Sequence, residues 1–140
     1  MGPLKLIWKE EGDGTDGRLA VAELELAPGF SPPAHFHREH DEGFYVLEGE
    51  VLLTYGEEHV TVGPGAWLMV PTGVSHTFSN PGDTVARLLC TFSPSLYVSY
   101  FDRLEAAARD HGGPPPPEVF ADLMRDYATE MIAPAGDPRD

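Results

Sequence analysis

Residues 29–49 read GFSPPAHFHREHDEGFYVLEG, and residues 65–80 read GAWLMVPTGVSHTFSN. The first stretch carries His35, His37 and Glu42, and the second carries His76. A β-strand turns successive side chains to opposite faces, so His35 and His37 leave one strand on the same side. Glu42 follows a short turn, from which an antiparallel return strand brings it opposite the pair. Three imidazoles and a carboxylate aimed at one point suit a divalent first-row metal.

Outward from these stretches, residues 4–93 read as short strands broken by turns. Between Arg18 and Leu26 the chain alternates, with Ala20, Ala22, Leu24 and Leu26 on one face and Glu23 and Glu25 on the other. Further strands are expected at Phe44–Leu47, Val51–Tyr55, His59–Val62, Ala66–Val70, His76–Ser79 and Val85–Phe92, separated by Gly, Pro and Asn. Regular short strands with this punctuation predict an all-β sandwich or barrel.

The texture changes after Pro94. Leu96, Tyr100, Leu104 and Ala107 recur at helical spacing, and the helix is expected to stop near His111-Gly112-Gly113. Pro114 to Pro117 form a stiff link. A second helix is expected from Pro116 or Pro117, carrying Val119, Phe120, Leu123, Tyr127 and Met131 inward. The expected organisation is a barrel over 1–95, a helical extension of the same domain over 96–134, and a frayed tail over 135–140.

Gly29-x5-His35-x-His37-x4-Glu42-x6-Gly49 resembles the first motif of the cupin superfamily at every defined position. Gly65-x5-Pro71-x-Gly73-x2-His76-x3-Asn80 resembles the second equally fully, after a gap of 15 residues. The resemblance implies a cupin jelly-roll β-barrel, the double-stranded β-helix, here with two C-terminal α-helices. It also implies that His35, His37, Glu42 and His76 bind one divalent transition metal inside it: Fe, Mn, Ni, Co, Cu or Zn. Gly49 and Gly65 fall at turns, where positive φ is needed. Pro71-Thr72-Gly73 reads as the turn that delivers His76.

The other histidines read blandly. His40 is expected in an exposed turn, His59 in solvent, and His111 at a helix end, where a cation suits the dipole. Strand parity places Phe44 and Val46 inward with Glu42, and Phe78 inward with His76. Phe30, Trp67 and Met69 are weaker candidates for the wall of an apolar pocket. Cys90, the sole cysteine, lies in an apolar strand-like run and reads as a small buried hydrophobe.

A ligand set that leaves a coordination position open fits catalysis. The layout resembles the small quercetin-dioxygenase-like cupins, which implies oxidation of a small aromatic or enolic substrate, with Glu42 as ligand and base. Two alternatives stand beside it. One is a polyketide cyclase or isomerase using the metal as a Lewis acid, and the other is a non-catalytic, metal-dependent ligand-binding module.

Nine Lys and Arg against 23 Asp and Glu, a net charge of −14, argue against nucleic acid and anionic membranes as partners. With no apolar run near the ~20 residues that span a bilayer, and no leader pattern, a soluble cytoplasmic protein is expected. A homodimer is expected too, with an edge strand near residues 4–8 and Trp8 buried in the partner.

Overall fold

The computed structural model describes residues 4–32, 34–37, 39–95, 98–127 and 129–131. Ten strands and two helices follow in chain order: β1 (Leu4–Glu10), β2 (Ala20–Leu26), β3 (His35–His37), β4 (Asp41–Glu48), β5 (Val51–Tyr55), β6 (Glu58–Val62), β7 (Trp67–Val70), β8 (His76–Ser79), β9 (Ala86–Ser93), α1 (Val98–His111), α2 (Pro117–Asp126) and β10 (Thr129–Met131). The strands form two five-stranded sheets, ordered β1-β2-β9-β4-β7 and β10-β3-β8-β5-β6. All the pairings are antiparallel. This is the jelly-roll architecture.

Alternation builds the core. On β2, Ala20, Ala22, Leu24 and Leu26 are buried, and they lie opposite Phe92, Cys90, Leu88 and Ala86 of β9. Phe44 and Val46 of β4 face Cys90 and Leu88 from the other side. The second sheet adds Val51, Leu53 and Phe78. Fully burying a side chain such as Phe44 or Leu88 is worth ~1.5–3 kcal/mol. This layer holds the two sheets together.

The β2 alternation and the central strands fall where the sequence places them, within a residue or two except for β4, which starts three residues earlier. Two expectations fail. Trp67 and Met69 do not wall a pocket: they are 54% and 42% exposed. The phase of β7 is set by its pairing with β4, where Val70 lies opposite Glu42 and Leu68 opposite Phe44. Those two residues take the inner face, so Trp67 and Met69 must take the outer one. The second helix does not reach Met131. It ends at Asp126, and Thr129–Met131 pair with β3 instead. Leu96 and the tail over 135–140 lie outside the described residues.

Trp8, expected against a partner, is half-buried within its own chain. Its ring packs within the chain on Phe92 and Phe101 of α1, at centroid distances of 5.9 and 6.0 Å. Tyr100 and Leu104 of α1 are buried, as are Leu123 and Met124 of α2. Tyr100 also meets Tyr127 edge-on at 5.7 Å. Both helices therefore belong to the core that the barrel begins. Among the described residues, no helix is long and apolar enough to cross a membrane.

Candidate metal centre

Three strands bring four side chains together inside the barrel. His35 and His37 come from β3, His76 from β8, and Glu42 from β4 of the opposite sheet. His35 and His76 are direct cross-strand partners, which sets their rings side by side, 4.6 Å apart. His37 lies 4.7 Å from His35 and 5.1 Å from His76, ring to ring. Glu42, paired with Val70 and Phe92, shares their inward direction.

Two turns hold this geometry. Gly73, at φ 85°, takes a left-handed conformation that favours glycine. Its N–H donates to the His37 carbonyl at 2.6 Å, tying the turn before β8 to the ligand strand. Thr72 donates its N–H and its hydroxyl to Asp41 Oδ1, at 2.7 and 2.9 Å. Asn80, at the end of the second motif, has a structural task. Its side-chain amide donates to the carbonyls of Leu26 and Thr84, and its oxygen accepts from Gly82 N–H.

Glu42 is buried and surrounded by imidazole. Its Oε1 lies 2.9 Å from His37 Nε2 and 3.0 Å from His40 Nε2, and its Oε2 lies 3.1 Å from His76 Nε2. Burial alone would raise the pKa of this carboxyl. The charge and hydrogen bonding of His37, with hydrogen bonds from His40 and His76, outweigh that and hold it well below the usual carboxylate range. Burial also lowers the pKa of His37, against the pull of Glu42.

The outer nitrogens of two rings are already committed. His76 Nδ1 donates to the Val74 carbonyl at 3.1 Å, since a carbonyl only accepts. His37 Nδ1 lies 2.7 Å from Thr129 Oγ1, whose own hydroxyl donates to the Tyr127 carbonyl. A neutral imidazole has one N–H. With that proton on Nδ1, a neutral ring turns its Nε2 lone pair at the ionised carboxylate, and the hydrogen bonds of His37 and His76 to Glu42 form only when those rings carry a second proton. Such a meeting of lone pairs calls for positive charge between them, supplied either by extra protons or by a cation. The ligand atoms of His35, His37 and His76 lie within 4.8 Å of one another, as do those of His37, His40 and Glu42. This nitrogen and oxygen set fits a divalent transition metal.

His40 departs from its expected place. It is 1% exposed, its ring stacks 4.0 Å from that of His37, and its Nε2–H donates to Glu42. Glu39 stays exposed, whereas His40, the residue before β4, turns its side chain into the barrel. Parity assigns a direction only within a strand, so the spacing did not reveal this residue. His59 is exposed, as expected, with its Nδ1 3.1 Å from the Thr54 hydroxyl. Of the candidate wall residues, Phe44 lies 6.1 Å from the His76 ring and 5.2 Å from Phe78, and Phe30 lies 6.3 Å from Phe78. Val46 is buried farther along β4. Phe92, 6.2 Å from His40, completes this aromatic surround.

Comparison with known proteins agrees with the fold and the motifs. The cupin domain family matches residues 22–92, and the chain belongs to that family. Quercetin 2,3-dioxygenase of Bacillus subtilis is 27% identical over 106 residues, 76% of this chain and 31% of that protein. The tetracenomycin polyketide synthase protein TcmJ of Streptomyces glaucescens is 32% identical over 74 residues, 53% of this chain and 50% of that one. The chain thus spans 31% to 50% of the length of these relatives. A crystal structure described as a cupin-superfamily sugar phosphate isomerase, from Silicibacter pomeroyi, superposes with a TM-score of 0.59 at 28% identity. It covers 66% of this chain and 60% of its own.

Proposed function

We propose that His35, His37, Glu42 and His76 hold one divalent first-row metal, and that the chain uses it to oxidise a small aromatic or enolic substrate with O₂. The observation that supports this best is the Glu42 carboxylate lying between two imidazoles whose Nδ1 protons are spent elsewhere. A bound metal of this class supplies Lewis acidity and, when redox-active, a path for electrons to O₂.

The remaining work falls to the chain. Glu42 accepts the substrate proton on a carboxylate oxygen. An enol or phenol hydroxyl, more acidic than an alcohol, gives up its proton to a carboxylate more readily, which favours enolic and phenolic substrates. His40 donates to Oε1 and fixes the plane of the carboxylate. Phe44 and Phe78 pack behind the site with Phe30 beside them, which gives it an aromatic, apolar side that suits a substrate of this class. The likeness to quercetin 2,3-dioxygenase supports this substrate class.

The polyketide synthase relative and the sugar phosphate isomerase neighbour favour a second reading, in which the same site isomerises or cyclises its substrate without O₂. Two measurements test the proposal. In His37→Ala and His76→Ala, metal content of protein purified without a histidine tag is expected to fall at least about tenfold while the fold is kept. Full occupancy after either change overturns the ligand set. Turnover of flavonols and catechols by metal-loaded protein is expected to stop without O₂. Equal anaerobic turnover replaces the oxidation reading with the second one.

A further inference from the structure

We infer that Thr129, on the C-terminal strand, is a positioning residue for His37. It holds the imidazole in the tautomer that carries its proton on Nδ1 and turns the Nε2 lone pair toward Glu42. This rests on the reading of His37 as a metal ligand.

The placement is specific. β10 pairs antiparallel with β3, and Thr129 is the direct cross-strand partner of His37. Residues so paired point to the same side of the sheet. The Thr129 hydroxyl lies 2.7 Å from His37 Nδ1, and the residue is 0% exposed. A hydroxyl has a single proton, and this one is donated to the Tyr127 carbonyl at 3.1 Å. The oxygen is thereby left to accept, so the proton of the contact with His37 belongs to the ring. An imidazole that ligates through Nε2 needs that arrangement, and an acceptor behind the ring also fixes its rotation. The β-branched threonine suits the task, because its χ1 is restricted in a strand.

His37 lies within residues 22–92, the family domain, whereas Thr129 lies beyond it, after both helices. The extension therefore does more than cover the barrel: it returns one hydroxyl to the back of a ligand. β10 is the edge of its sheet. The C-terminal segment thus sets how well one half of the β3 histidine pair is prepared for a cation.

The test uses the full-length chain. ¹⁵N NMR of metal-free protein at mildly alkaline pH reads the His37 tautomer, and chelator competition reads Zn(II) affinity. Wild type and Thr129→Ser are expected to carry the proton on Nδ1. Thr129→Val, of similar shape but without the hydroxyl, is expected to shift population to the Nε2–H form. Its Zn(II) affinity is expected to drop ~10–100-fold, with Thr129→Ser within about threefold of wild type. A Thr129→Val protein that keeps both tautomer and affinity overturns the inference. So does wild-type protein with the proton on Nε2, a result that requires no variant to fold. If wild type takes up no Zn(II), the metal reading fails, while the tautomer measurement still decides the role of Thr129.

Discussion

At the scale of the residue, the site rests on a carboxylate kept charged by its neighbours. This has a pH signature with a definite sign. Glu42 has a depressed pKa in the folded chain, so its contribution to stability is present above its unfolded value, about 4.3, and is lost as pH falls toward the folded one. His37 is depressed too. Below about pH 6.5 the unfolded chain takes a proton that folded His37 resists, which again favours unfolding. Urea unfolding of metal-free protein is therefore expected to show stability falling steadily from near neutrality downward. In Glu42→Gln the lower part of that fall should flatten. On the proposed function, metal-loaded Glu42→Gln protein is also expected to turn over ~10²–10⁴-fold more slowly, since the amide keeps an oxygen ligand but not the base. The approach of His35, His37, Glu42 and His76 to one another was legible because motif spacing and strand parity both point at them. His40 was not, because a residue in a turn has no parity. Thr129 was not, because its hydrogen bond spans 92 positions of chain.

At the scale of the element, short strands were legible where turn residues bracket an apolar run, as Gly49 and Gly56 do at Val51–Tyr55. β10 was not. It has three residues, and Tyr127 and Met131 stand four apart, which imitates a helix face. The phase of β7 was equally hidden, because Trp67, Leu68, Met69 and Val70 are all apolar and alternation has nothing to contrast. Gly43 explains how the outward phase is accommodated. A Cβ there would lie 2.3 Å from Trp67 Cη2 and 2.6 Å from Thr91 Oγ1, so the indole occupies the space over a residue without a side chain. Gly43→Ala is expected to displace the ring and to cost about 1–3 kcal/mol, the usual range for overpacking. Urea unfolding, followed by tryptophan emission, reads both effects. If Trp67→Leu makes the Gly43→Ala change nearly free, the contact is the cause.

At the scale of the whole molecule, the outer face of the β1-β2-β9-β4-β7 sheet is unusually apolar at one end. Tyr45, Leu47, Trp67 and Met69, on the adjacent strands β4 and β7, are each at least 36% exposed. We expect a homodimer formed through this face rather than through Trp8. A net charge of −14 on each chain opposes association, so the dimer should tighten as salt screens the repulsion. Light scattering at micromolar concentration checks the mass, and Trp67→Glu should yield the 15.3 kDa monomer. Wild type that remains a monomer at every salt concentration overturns this expectation.

The proposed ligand set draws on both sheets: three imidazoles from one and the carboxylate from the other. An ion seated there acts as a rivet between two plates that otherwise cohere by apolar contact. Occupancy and folding are then a single equilibrium, and an ion at a hundred times its dissociation constant adds about 2.7 kcal/mol to the unfolding free energy. On the proposed reading, then, loss of the ion would remove the site's chemistry and loosen the joint between the sheets at the same time.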